Sequence, residues 1–287
     1  MKETYMVIEK SKIVLKTRNI HKTDYIDLGE RGRYYKKNKL NNLTGKEWIK
    51  FTKSWFILRP RQRTKNVILH PAKFPEELVE RYISFFTKKG DKVLDPMAGT
   101  GTVNYVCEKL GRIGYSIELE KKYYNIGKSR SNQFFFLGDC RNFKEFNIPV
   151  LDYIITSPPY WDSLKRSSLR QKKRRKKGLD TEYSSNEKNL ENIENYQAFI
   201  SELVKFYKNL KNRLKLKGYM TIIVNNVYKN SKLFPLAFDL ASELAKYYTL
   251  KDEQIWCQDD KPLIALGVNS AYVANRHHIY CLIFRNE

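Results

Sequence analysis

The chain has 287 residues, enough to bury a sizeable core, and sets 54 lysines and arginines against 31 acids for a formal net charge of +23. That excess favours a polyanionic partner, nucleic acid first; the plainer alternative is a basic ribosomal or chromatin-like protein without chemistry. Cys107, Cys140, Cys257 and Cys281 are scattered with no Cys-x-x-Cys pair, against a zinc site or a disulfide framework, and no apolar run is long enough to cross a bilayer. The expectation is a soluble, cytoplasmic, nucleoid-associated protein with no metal and no membrane partner.

Residues 1–70 read as a basic and aromatic extension with little periodicity before Leu43. Thr44-Gly45-Lys46-Glu47 suits a helix start, and Trp48, Phe51 and Trp55 predict one apolar face. Two readings of that face stay open. It docks on the core, or it forms an arm against nucleic acid with Arg59, Arg61 and Arg63 near phosphates.

From His70-Pro71-Ala72-Lys73-Phe74-Pro75 the pattern sharpens. Pro75, Glu76 and Glu77 suit the positive start of a helix whose buried stripe is Leu78, Val79, Tyr82, Ile83 and Phe86. Lys92-Val93-Leu94 is a short strand, Asp95-Pro96-Met97-Ala98-Gly99-Thr100-Gly101-Thr102 a glycine loop, and Val103 to Leu110 a helix. Strand, glycine loop and helix together let backbone N–H groups approach a ligand. No Gly-Lys-Ser/Thr follows, which disfavours a phosphate-binding P-loop. An acid at position 95 suits a cationic ligand end, such as an amino acid ammonium, better than a pyrophosphate.

Ile113 to Ile117 forms a second strand ending in Glu118, where a carboxylate accepts the hydroxyls of a ribose; the alternative is a solvated acid at a strand end. A helix over about 120–129 leads to a third strand, Phe134 to Leu137, before Gly138-Asp139. The fourth, Leu151 to Ile155, stops at Thr156-Ser157-Pro158-Pro159-Tyr160, because consecutive prolines cannot donate ladder hydrogen bonds. That turn is a stiff rim of hydroxyl, carbonyls and phenol, suited to a planar ring bearing an amino group. In an open parallel sheet these strand ends share one edge, where ligands bind.

Lys165 to Lys177 is basic without an acid and opens a flexible insertion over 165–195. Its candidate phosphate contacts are Lys165, Arg166, Arg170, Lys172, Lys173, Arg174 and Arg175. Helical period returns with Phe199, Leu203, Phe206, Tyr207, Leu210 and Leu214. Tyr219 to Val224 is a fifth strand, Phe234 to Tyr247 a helix, and Ile255 to Cys257 and Ile279 to Phe284 are closing strands. The expected division is an extension over 1–70, a ligand-binding half over 71–164, the insertion, and a second half over 196–287.

Taken together, these residues resemble the amino-group DNA methyltransferases that use S-adenosylmethionine. The loop from Asp95 to Thr102 is similar to that family's Asp-Pro-Phe-x-Gly-x-Gly-Thr, and Ser157-Pro158-Pro159-Tyr160 looks like its catalytic signature in the form associated with cytosine N4. The resemblance runs from about Pro71 to Phe284. It implies an α/β, Rossmann-like class I methyltransferase fold: a mostly parallel seven-stranded sheet with helices on both faces. Many relatives with Ser-Pro-Pro-Tyr carry it ahead of the glycine loop; here the glycine loop comes first, which leaves the place of the base-reading segment open.

Carried over by position, Asp95 would hold the methionine part of the cofactor, with Pro96, Met97, Ala98, Gly99, Gly101 and Thr102 forming the loop against it. Glu118 would take the ribose hydroxyls, and Asp139, with Cys140 beside it, the adenine amino group. Lys73, Phe74 and Pro75 would close over the methionine end. Ser157 and the Pro158 carbonyl would accept from the target amine, with Pro159 stiffening the turn and Tyr160 stacking on a base flipped out of duplex DNA. No cysteine follows a proline, so carbon-5 cytosine chemistry is not expected. A restriction endonuclease acting on the same site is an implied partner. The alternatives are adenine N6 methylation, RNA base methylation, a non-catalytic nucleic-acid binder and, more distantly, a nicotinamide dehydrogenase.

Overall fold

The structure is a computed structural model and describes residues 2–9, 12–19, 24–61, 69–71, 74–161, 169–184 and 186–287. The chain divides into two compact units, Met1–Lys39 and Leu40–Glu287.

The first unit holds two antiparallel pairs. β1 (Lys2–Glu9) pairs with β2 (Lys12–Asn19), and β3 (Tyr25–Asp27) with β4 (Arg33–Tyr35). The second pair is faced by a Tyr25–Tyr35 ring contact at 5.7 Å and by the Arg33 guanidinium 4.7 Å over the Tyr25 ring.

The second unit is built on eight strands: β5 (Trp55–Ile57), β6 (Lys92–Asp95), β7 (Ile113–Glu118), β8 (Phe134–Leu137), β9 (Leu151–Thr156), β10 (Leu214–Val224), β13 (Thr249–Cys257) and β14 (His278–Arg285). A short hairpin of β11 (Val227–Lys229) and β12 (Lys232–Phe234) follows β10. The order across the sheet is β5-β13-β14-β10-β9-β6-β7-β8, and β14 runs against its neighbours. All seven expected strands are present, and β5 adds an eighth at the edge beside β13. The architecture is the expected one: α/β, Rossmann-like and mostly parallel.

Alternation along the strands sends side chains to opposite faces, and both faces are apolar. Val93, Tyr153, Ile155, Cys281 and Ile283 enter one core, with Leu78, Val79, Tyr82, Ile83 and Phe86 of the helix Glu76–Phe86. Leu94, Ile154, Leu282 and Phe284 enter the other, with Phe199, Leu203, Phe206 and Leu210 of the helix Tyr196–Leu210 and Leu240 of Leu236–Leu244.

The helix Gly45–Phe51 begins with a capping box. The Thr44 hydroxyl accepts from the Glu47 amide at 3.3 Å, and the Glu47 carboxylate accepts from the Thr44 amide at 2.8 Å. Its apolar face is docked on the core: Phe51 stacks on Phe85 at 3.7 Å and Trp48 lies 4.7 Å from the same ring. Trp55 is not part of that face. The helix ends before Thr52, and Trp55 lies half-exposed in β5, registered with Ile255.

From β6 the chain passes outward through β7 to β8, then returns to lay β9 on the other side of β6. That reversal opens a crevice at the carboxyl ends of β6 and β9, the place where open α/β sheets bind ligands.

Candidate active site

β6 ends in Asp95, and Pro96 prevents the strand from continuing. The loop that follows needs two glycines for different reasons. Gly101 sits at φ 71° and begins the helix Thr102–Leu110; a Cβ there would lie 3.0 Å from the Gly127 Cα. Gly99, at φ 53°, faces the His70 ring, which a Cβ would meet at 3.2 Å.

Two buried acids hold this loop. Asp95 Oδ1 accepts from the Met97 amide at 3.1 Å, while Oδ2 receives no hydrogen bond of ordinary geometry among the described residues. Glu118, at the end of β7, accepts from the Gly99 amide at 2.7 Å and the Glu120 amide at 2.8 Å. Burial pushes both carboxyls up to about 7; the Met97 amide and Thr156 hydroxyl partly offset this at Asp95, and the Glu120 and Gly99 amides do so at Glu118. A buried, proton-poised carboxyl facing the cavity at Glu118, with a second at Asp95 behind the loop, favours a ligand that brings hydroxyl donors or positive charge.

Asp139 is engaged differently. Its carboxylate holds the Arg141 guanidinium in a two-pronged bond, 2.6 Å from Nη2 and 3.0 Å from Nε, and accepts the Arg141 amide at 2.9 Å. Arg141 in turn donates to the Lys188 carbonyl at 2.8 Å. Cys140 is buried, and burial raises its thiol far from reactivity.

Across the crevice, β9 delivers the Ser-Pro-Pro-Tyr turn. The Ser157 and Tyr160 hydroxyls lie 3.2 Å apart, and Tyr160 Oη donates to the Ile223 carbonyl at 3.4 Å, so the end of β10 steadies the turn. Trp161 closes it at φ 50°, a strained angle for a bulky residue. Its indole N–H donates to the Ile193 and Glu194 carbonyls at 3.1 Å, and its ring packs 4.7 Å from Phe234.

These elements line a cavity that opens to solvent. Of the expected residues, Phe74, Pro96, Met97, Ala98, Gly99, Thr102, Glu118, Asp139, Cys140, Ser157 and Pro159 line it. Pro75, Asp95, Gly101, Pro158 and Tyr160 are not among the residues that line it. Lys73 lies outside the described residues. Sequence reading missed Trp161, His70, Leu119, Glu120, Tyr123, Tyr183, Lys188, Asn189 and Leu190. His70 opened a segment already singled out, and its ring packs 4.4 Å from Tyr123 and 5.2 Å from Tyr183.

The region expected to be a flexible insertion supplies part of this wall. Residues Leu169–Lys176 form a helix. Asp180 accepts from Lys122 Nζ at 2.7 Å and Tyr123 Oη at 2.9 Å, and Ser184 donates to Glu120 at 2.6 Å. Arg174 is half-buried and donates to the Asp180 carbonyl at 2.7 Å and the Leu69 carbonyl at 2.8 Å, so it braces the fold. Lys172, Lys173 and Arg175 are exposed. Lys165 and Arg166 lie outside the described residues, as does the Arg170 side chain.

Among the described residues, no group of three or more His, Cys, Asp or Glu side chains is arranged to hold a metal ion, and no helix is long and apolar enough to cross a membrane.

The N6_N4_Mtase family model, described as DNA methylase, matches residues 1–129. The Type II methyltransferase M.HpaI of Haemophilus parainfluenzae is 37% identical over 98 residues, 34% of this chain and 30% of that protein. The Type II methyltransferase M2.DpnII of Streptococcus pneumoniae is 46% identical over 61 residues, 21% of this chain and 23% of its own. The orphan methyltransferase M.BamHII of Bacillus amyloliquefaciens is 31% identical over 124 residues, 42% of this chain and 45% of its own. The chain thus spans less than half the length of each of these curated relatives. The solved structure of TrmN from Thermus thermophilus superposes with a TM-score of 0.46 at 14% identity, over 73% of this chain and 47% of that one, a likeness too distant to bear on function.

Proposed function

We propose that this chain is an S-adenosylmethionine-dependent DNA methyltransferase that acts on an exocyclic base amine, the N4 amine of cytosine. The observation that carries the reading is that Ser157, its hydroxyl paired with Tyr160, opens onto the same cavity as Glu118 and the glycine loop. The DNA methylase model and the relatives named Type II methyltransferases support the coarser reading; the choice of cytosine rests on the Ser-Pro-Pro-Tyr form.

The residues present fit the cofactor. Glu118 offers a ribose a buried carboxylate, the Asp95 Oδ2 lacks a partner of ordinary geometry, and Phe74, Met97 and Leu190 give apolar walls. Phe74, Met97, Gly99, Thr102, Glu118, Asp139 and Cys140 would hold it, with Lys73 and Pro75 at its methionine end. Bound there, S-adenosylmethionine supplies an electrophilic methyl on a sulfonium.

The chain's own part is to prepare the amine. Such a nitrogen is a weak nucleophile because its lone pair is delocalised into the ring. The Ser157 hydroxyl and the Pro158 carbonyl accept its two N–H groups, favouring a pyramidal nitrogen with a localised lone pair. The rigid turn holds these acceptors before the base arrives, so little reorganisation remains. Tyr160 positions Ser157 and offers a ring for the base to stack on. A paired base hides this nitrogen, so it must leave the duplex.

The test is incubation with tritiated S-adenosylmethionine and unmethylated genomic DNA, followed by nuclease digestion and nucleoside mass analysis. N4-methylcytosine is the expected product. N6-methyladenine would replace the base assignment and keep the mechanism; label in RNA alone would replace the substrate.

A further inference from the structure

Between β13 and β14 the chain makes an excursion over residues 258–277 that the proposed chemistry does not use. It is closed at its base, where the Gln258 amide donates to the His277 carbonyl at 2.7 Å. Higher up, Asn275 clasps Ile264 from both sides: Oδ1 accepts from the Ile264 amide at 2.9 Å and Nδ2 donates to its carbonyl at 2.8 Å. At the tip, Gly267 sits at φ 64°, and any side chain there would collide with the Ala271 carbonyl. The Ser270 and Ala271 amides donate back to the Gly267 carbonyl at 3.0 and 2.8 Å.

This built loop exposes apolar side chains where water would normally exclude them. Tyr272 is 92% exposed, Leu263 80% and Val268 65%, with Ile264 and Leu266 also exposed. Nothing in their own loop covers them, so their burial awaits a partner.

Position and charge select the partner. β13 runs parallel to β9, so the excursion leaves the same sheet edge as the Ser-Pro-Pro-Tyr turn. β14 stands two strands from β9, about 10 Å along that edge. The Arg276 guanidinium donates to the Asn226 carbonyl at 3.1 Å, just past the β10 end that accepts from Tyr160. Lys261 and Arg276 flank the apolar tip, and of the two acids in its stem Asp259 is held by Arg59 at 2.5 Å. An apolar tip with a cationic collar beside a base pocket matches the base stack and phosphates of duplex DNA.

We propose that the 262–273 loop inserts Tyr272 and Leu263 into the duplex beside the target base and fills the space that base vacates. This rests on the methyltransferase reading above and adds to it the element that stabilises the opened duplex. Exposed apolar side chains wedged between base steps keep the gap from re-closing and lengthen the life of the extruded base.

The full-length chain with Tyr272→Ala and Leu263→Ala together is compared with wild type, with Tyr272→Phe as the conservative variant. All three should bind S-adenosylmethionine within about twofold in calorimetry, since the loop is not part of the cavity. Single-turnover transfer to duplex genomic DNA should fall on the order of tenfold in the double variant, the scale expected for a lost base-stacking contact, and be retained by Tyr272→Phe. Equal transfer by the double variant and wild type would overturn the proposal. So would self-association of wild type, seen in sedimentation and lost in the double variant without a change in transfer, because the tip then binds a second copy. If wild type transfers nothing to DNA, the methyltransferase reading fails separately. Gel shift with a duplex then decides the loop: weaker binding by the double variant supports insertion, equal binding rejects it.

Discussion

Asp95 and Glu118 carry the sharpest consequence at the scale of single residues. Both carboxyls are raised to about 7 by burial, above their unfolded values. The folded chain therefore keeps protons that the unfolded chain releases, so the stability these groups contribute falls as pH rises from about 4 to about 7 and then levels. A cationic or hydroxyl-bearing ligand favours the ionised forms, which reverses the trend for binding. Affinity for S-adenosylmethionine should rise from pH 6 to pH 8, with proton release. Calorimetry near pH 6.5 in buffers of different ionisation enthalpy reads this directly, and proton uptake would exclude it. Tyr160→Phe removes the hydroxyl 3.2 Å from Ser157 and keeps the ring. Transfer should fall about threefold to tenfold with cofactor affinity unchanged, the worth of one hydrogen bond. An unaltered turnover number would show that Tyr160 does not position Ser157. The placement of these strand-end residues was legible because it follows from where strands stop. Asp139 was legible as a position but not as a partner of Arg141, since nothing in the local pattern says which of many cations will fold back onto it.

Among the elements, the Gly45–Phe51 helix shows where local signals suffice and where they fail. Its start was readable from Thr44 and Glu47, which bond each other within one turn. Its end was not, because Trp55 belongs to a strand that exists only by pairing with residues 255–257, and short-range periodicity carries no trace of that. The same holds for Tyr183 to Leu190, a polar stretch drawn to the cavity through Asp180 and Ser184, which meet partners 57 to 64 residues away. The helix also makes a firm prediction. Phe51 stacks on Phe85, lies 5.5 Å edge-on to Tyr82 and carries Arg81 4.4 Å over its ring. Phe51→Ala should cost about 3–5 kcal/mol through the cavity it leaves, measured as a lower urea midpoint at unchanged slope. A loss under about 1 kcal/mol would mean the helix is peripheral to the core.

The whole molecule is dominated by its charge of +23. Lys172, Lys173 and Arg175 stand exposed on one short helix whose Arg174 is tied into the fold. Replacing those three by alanine should weaken duplex binding uniformly across sequences. It should also flatten the slope of log K against log salt by about one per lost phosphate contact, with cofactor affinity unchanged. An unchanged slope would assign phosphate contact to other cations. The net charge raised the expectation of a polyanion from the sequence alone; the division of labour within the basic run was not legible there, because bracing and exposed arginines look identical until the Leu69 and Asp180 carbonyls are in place.

The central sheet also sets a timetable for synthesis. β14, the last strand in chain order, lies inside the sheet between β10 and β13, and β5 joins only through β13. Until the ribosome has released Arg285, β10 and β13 cannot be bridged, and their hydrogen-bonding edges stay open on a nascent chain. Half of the ligand crevice, from β6 to β9, can form during translation; the rest must wait until β14 is clear of the exit tunnel. A ribosome stalled once β13 has emerged but before β14 has would therefore hold a chain with its glycine loop in place and two unpaired edges that only a chaperone, or another copy, could cover.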